Sequence, residues 1–141
     1  MAKLSIGGMD HLIQSLEKAD LFSEETQSEM LNAGADIISE NISKEMMKSN
    51  FNIQHLISKL KKTKIDKTRD GDPKINVTVA GKKPSGQRNA AIVFVLNYGR
   101  AKKYGEIVGE YFWTRGNKKA HDPIQKALEK IAEEKLKKEG L

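Results

Sequence analysis

The side chains best suited to proton transfer or metal ligation are three histidines, His11, His55 and His121, and their spacing serves neither purpose. None stands in an HExxH or HxH arrangement, and no Asp or Glu cluster recurs at metal-ligand intervals. Cysteine is absent, so disulfides, thiolate zinc sites, iron–sulfur clusters and cysteine nucleophiles are excluded from this sequence. The stretch from Gly105 to Gly109 has the glycines of a phosphate loop but neither its GKS/T ending nor a GxGxxG spacing. Asp70 and Asp72, in the run DGDP, lack the remaining ligands of a calcium loop and read as a hairpin turn. No convergent acid, base or metal set is visible, so neither an enzyme nor a cofactor is expected.

Charge is the stronger signal. Over 141 residues, 25 basic and 19 acidic groups give a net +6. The distribution is uneven: residues 1–50 carry 4 basic and 9 acidic groups, 51–100 carry 11 and 3, and 101–141 carry 10 and 7. An acidic first third beside a basic middle implies intramolecular neutralisation or head-to-tail contact between copies. Lys59, Lys61, Lys62, Lys64 and Lys67 form a basic stripe that Arg69, Lys82, Lys83, Arg88, Arg100, Lys102 and Lys103 extend. Such a stripe suits phosphates, although lysines also protect the edges of sheets. Stacking rings are few: Tyr98, Tyr104 and the Tyr111-Phe112-Trp113 cluster, with Phe94 read as core. Within that cluster Phe112 is expected to plug the core, and Tyr111 and Trp113 are candidates for a subunit contact. A stand-alone basic nucleic-acid-binding module is therefore the alternative reading.

The elements that would position these residues follow from periodicity. Leu12, Ile13, Leu16 and Leu21 make a short helical stripe. Ser23, followed by Glu24 and Glu25, caps a second helix from about residue 23 to 48, in which Leu31, Ala35, Ile38, Ile42 and Met46 line one face. Gly34 lies mid-helix, as a close packing point or a mild weak spot. Ile53, Leu56, Ile57 and Leu60 suggest a short helical turn, residues 59–69 alternate, and residues 74–80 alternate cleanly as a strand. Residues 81–88 have the composition of an exposed loop. The apolar run 90–96 reads as the central strand, residues 111–113 as a further strand or an irregular segment, and Asp122-Pro123 as the N-terminus of a last amphipathic helix with Ile124, Leu128, Ile131 and Leu136 buried.

The whole is an α+β arrangement in one domain, residues 1–141. Two N-terminal helices precede a small antiparallel sheet of about three to four strands, and a C-terminal amphipathic helix packs on the sheet. The composition, 38% hydrophobic and 31% charged, fits one soluble core. No stretch of about 18 apolar residues occurs, so no membrane partner is expected. The N-terminal residues lack a signal-peptide pattern, and the cytosol is the expected setting.

The segment from Val95 to Arg100 (VLNYGR), then Gly109 to Arg115 (GEYFWTR), then an amphipathic helix, resembles the small tail-completion family of tailed bacteriophages and prophages. That group comprises head-tail joining, neck and tail-terminator proteins. Residues 52–58 (NIQHLIS) stand where the family tends to carry a Gly-x-Leu-x-x-Ser segment, and Asn97 stands where many members carry Glu. The resemblance covers nearly the whole chain. It implies a virion structural protein without an active site, assembled in the host cytoplasm and placed at the head-tail junction. Its copies would form a ring, possibly a hexamer, against other neck, connector or tail-tube proteins, with non-specific contact to packaged DNA. Lys82, Lys83 and Arg88 foremost, with the other cations of the stripe, would then face a neighbouring subunit or the channel, and the acidic helices would lie outside or meet the next subunit.

Overall fold

A computed structural model describes residues 2–3 and 10–140. His11 and Leu12 lie outside the residues whose side chains are described. Helix α1 spans Asp10–Lys18 and α2 spans Glu24–Met46. Ser23 caps α2 as its sequence position implies: its Oγ accepts from the Thr26 backbone N–H at 3.2 Å, and Glu24 and Glu25 sit on the positive end of the helix dipole. Leu31, Ala35, Ile38, Ile42 and Met46 are all buried, as the steps of four and three require. Gly34 is buried too.

A short helix, α3 (Gln54–Ile57), leads into the sheet. Its three strands run in the order β1 (Ala2–Lys3), β5 (Asn76–Val79) and β2 (Leu60–Lys62), all antiparallel, with Leu60 opposite Val79 and Lys62 opposite Val77. Alternation in β5 is strict, and Val77 and Val79 point into the core beside Ile75. A two-stranded extension, β3 (Asp66–Lys67) with β4 (Pro73–Lys74), is closed by the expected turn, where Thr68 N–H donates to the Asp72 carbonyl at 2.7 Å and Gly71 takes φ 86°.

The apolar run 90–96 is not the central strand. It lies in helix α4, Asn89–Tyr98. Strand β5 already has β1 on one edge and β2 on the other, so no edge beside it is open to a further strand. A helix satisfies its backbone internally, and its buried residues, Asn89, Ala90, Val93, Leu96 and Asn97, follow a helical period. Phe94 is accordingly not core: it falls on the flank of the helix, about 100° round from the centre of the buried face, and is 61% exposed.

After α4 come β6 (Gly99–Arg100), a 3-10 turn (Lys102–Tyr104) and β7 (Ile107–Val108), which pairs back on β6. The last helix, α5, then runs from Phe112 to Lys138. It starts well before Asp122-Pro123, which is an interior position and not an N-cap. Pro123 lies on an exposed face, where the carbonyl left without its usual donor can turn to water. Residues 111–113 are thus the entry to a helix, not a strand, and Phe112 is fully buried in its first turn.

Helices α2 and α5 are antiparallel and form the main packing pair. They approach closely at Gly116, where a Cβ would stand 2.6 Å from the Ile42 Cα. One core cluster joins α2, the sheet, α4 and the first turns of α5. A smaller one, with Leu16, Met30, Leu128 and Ala132, fastens α1 to the far end of the α2–α5 pair. The fold class is α+β. Among the described residues, no helix is long and apolar enough to cross a membrane.

Candidate interaction surface

Seven large hydrophobic side chains are exposed among the described residues: Met47, Phe51, Phe94, Tyr98, Tyr104, Val108 and Tyr111. All belong to the segments around the β6–β7 hairpin, where α2 and α4 end and α5 begins. Phe94 and Tyr98, one helical turn apart on α4, have ring centroids 4.8 Å apart, and Tyr98 meets Tyr111 edge-on at 6.2 Å. Phe51 and Val108 line a neighbouring depression together with Glu106. Beside the rings a groove of about 390 Å³ runs along α4 from Arg88 to Tyr98, with Trp113 in its wall. Its lining is apolar except for Arg88 and Asn97. The buried Trp113 indole N–H finds no acceptor among the described residues.

The frame beneath this surface is built from the two sequence segments that carried the family resemblance. Gly99 and Gly109 lie backbone against backbone. A Cβ on Gly99 would stand 2.7 Å from the Ile107 carbonyl oxygen, and one on Gly109 would stand 2.6 Å from the carbonyl oxygen of Asn97. Gly99 also holds φ at 88°, a left-handed conformation that side chains disfavour. Asn97 is buried and caps α5 from a distance. Its Oδ1 accepts from the Trp113 N–H at 2.9 Å and the Thr114 N–H at 3.4 Å, and its Nδ2 donates to Thr114 Oγ1 at 3.1 Å. Those N–H groups belong to the first turn, which has no intrahelical acceptors. Glu110 ties the end of α2 to the same frame, accepting from Ser49 Oγ and, at 3.0 Å, from the Asn50 N–H.

Charge beside the frame is concentrated on Glu45, whose side chain is 2% exposed. Lys119 lies 2.7 Å from one oxygen, Lys48 2.8 Å from the other, and Arg115 3.4 Å away. The hydrogen bonds from Lys119 and then Lys48, outweighing the cost of burial, pull the carboxyl from 4.5 down to about 2. The same contact raises the Lys48 ammonium. Further pairs join Lys62 to Asp36, Lys44 to Glu40 and Lys135 to Glu29. Every ion pair among the described residues therefore involves α2, and the acidic first third is partly neutralised within the chain.

Of the cations singled out from sequence, only Lys62 is drawn into that pairing. Lys61 and Lys64 are exposed on and after β2, and Lys82, Lys83 and Arg88 are exposed at the loop before α4, where Lys82 and Arg88 bridge through their backbones. Arg100 Nε donates to the Gly105 carbonyl at 2.7 Å, and Lys103 lies 5.6 Å from the centre of the Tyr104 ring. Lys102 is exposed on the same turn. Tyr111 is exposed at the surface, whereas Trp113 is buried to 7% and contributes only as groove wall. The groups β2, loop 82–88 and turn 100–103 are separate positions on the chain, not one strand. Among the described residues no three His, Asp or Glu side chains gather as a metal site.

Sequence reasoning missed Phe94, Val108, Phe51 and Met47. For Phe94 the signal was present: positions 94 and 98 are one turn apart and lie about 100° or more round the helix from the buried 89, 93 and 96. Compared with family models, curated proteins and solved structures, the chain matches none.

Proposed function

We propose that this chain is a structural assembly protein of a tailed phage or prophage, acting at the head-tail junction as a joining, neck or terminator component by forming a ring with its own copies. The observation that carries the proposal is the cluster of exposed rings formed by Phe94, Tyr98 and Tyr111, with exposed Phe51 and Val108 together in a neighbouring depression. Surface apolar patches of this kind, with clustered tyrosines, are typical of protein–protein contacts. The motif resemblance supplies the setting. Asn97, standing where many members of that family carry Glu, accepts backbone hydrogens at the start of α5, a task that either side chain can perform.

The exposed cations outside the α2 pairings favour a second reading, a free nucleic-acid-binding module. Deletion of the gene from the phage or prophage that carries it, followed by negative-stain microscopy of induced particles, separates the two. Full heads lying apart from tails, or tails of uncontrolled length, are expected. Normal infectious particles would overturn the assembly role.

A further inference from the structure

The groove along α4 has one formal charge, Arg88, and no carboxylate in its lining. Arg88 is exposed and forms no ion pair among the described residues, and the backbone bridge to Lys82 brings a second cation alongside. Such a groove suits an apolar group flanked by carboxylates.

That counterpart occurs on the same chain, at the other end of α2. The α1–α2 corner carries Leu21 and Phe22, both half-buried, between Glu17 and Asp20 on one side and Glu24 and Glu25 on the other. All four carboxylates are exposed, and none forms an ion pair among the described residues. The corner is pre-shaped: Asp20 sits at φ 56° and the Leu21 N–H donates to the Leu16 carbonyl at 2.7 Å. The 23 residues of α2 put roughly 34 Å between its ends, at about 1.5 Å per residue. A corner and a groove at opposite ends of one rigid pair of helices cannot satisfy each other within a chain.

We infer that the α4 groove of one copy receives the α1–α2 corner of a second copy, with Phe22 and Leu21 against the α4 rings and the flanking carboxylates on Arg88 and Lys82. This rests on the assembly reading above and specifies its contact. The contact is heterologous, so it propagates from copy to copy and closes into a ring or continues as a stack.

The test uses three variants of the full chain, each altered only at exposed positions and checked for an unchanged melting temperature: Arg88→Glu, Phe94→Glu, and the double change Glu17→Lys with Asp20→Asn, which keeps a side chain tolerant of the left-handed corner and leaves the α2 dipole end untouched. Sedimentation velocity of the wild type over a concentration series should show self-association. Each variant alone should associate at least about tenfold more weakly, corresponding to the loss of about 1.4 kcal/mol. Mixing Phe94→Glu with the double corner variant should yield a discrete 1:1 dimer, because one intact groove then meets one intact corner. Wild-type-like association of the corner variant, or no dimer in the mixture, overturns the inference. So does a wild type that stays monomeric. The assembly role is judged separately by the particle phenotype, which none of these outcomes prejudges.

Discussion

Replacing Glu45 by Gln tests how the two long helices are held together. The amide is close in shape to a protonated carboxyl, so the substitution mimics permanent neutralisation of one group. Holding that carboxyl at about 2 instead of 4.5 corresponds to about 3 kcal/mol, at about 1.4 kcal/mol for each tenfold change in proton affinity. Because the folded value is depressed, this contribution is fully present above pH 4.5 and is lost as pH falls towards 2. For a domain whose whole stability is about 5–15 kcal/mol, the loss is large. The chain's single tryptophan, Trp113, is buried two residues from Arg115, so its fluorescence in urea reports unfolding at this junction. At pH 7 E45Q should be about 3 kcal/mol less stable than the wild type. The gap should fall to about half by pH 3 and nearly close by pH 2. Other carboxylates titrate in both proteins and cancel in the difference. A gap that stays constant from pH 7 to pH 2 would refute the account, since it would mean that packing of the side chain, and not its charge, secures the helices.

Two further substitutions probe the frame. Gly116→Ala forces a methyl group against the backbone of α2, 2.6 Å from the Ile42 Cα, and should cost about 3 kcal/mol or more in urea unfolding even though alanine is the better helix former. Asn97→Ala removes the acceptor for the Trp113 and Thr114 N–H groups in a buried place and should cost about 1–3 kcal/mol, with hydrogen-exchange protection lost first at residues 113 and 114.

What the sequence made legible was whatever had a single apolar face or an unambiguous turn. Helix α2 has both a serine cap and a stripe, strand β5 alternates strictly, and the aspartate-glycine turn forms where its residues require. Helix α4 was illegible for a physical reason. Its inner face is apolar because it is buried and its outer face is apolar because Phe94 and Tyr98 lie on it, so no amphipathic contrast survived and the run looked like a buried strand. The start of α5 was hidden similarly. Its first turn is capped by Asn97, fourteen or more positions upstream, instead of by a neighbour, while Asp122-Pro123 supplied a local start signal that the helix passes through. The ion pairs that join α2 to α5 span up to 106 positions and leave no local pattern to read.

The exposed rings and the glycine crossing beneath them have opposite tolerances to mutation. Phe94 and Tyr98 stand mostly outside the core, so exchanging them leaves the packing that defines the fold largely intact, whereas Tyr111 holds φ at 52° where the chain enters α5. Gly99 and Gly109 lie in backbone contacts too close for any side chain, and Asn97 is fixed by the hydrogen bonds it makes to the start of α5. Lineages descending from such a chain would therefore drift rapidly in whom they bind while keeping the scaffold fixed. Sequence comparison would then find a short invariant skeleton under a surface that diverges beyond recognition.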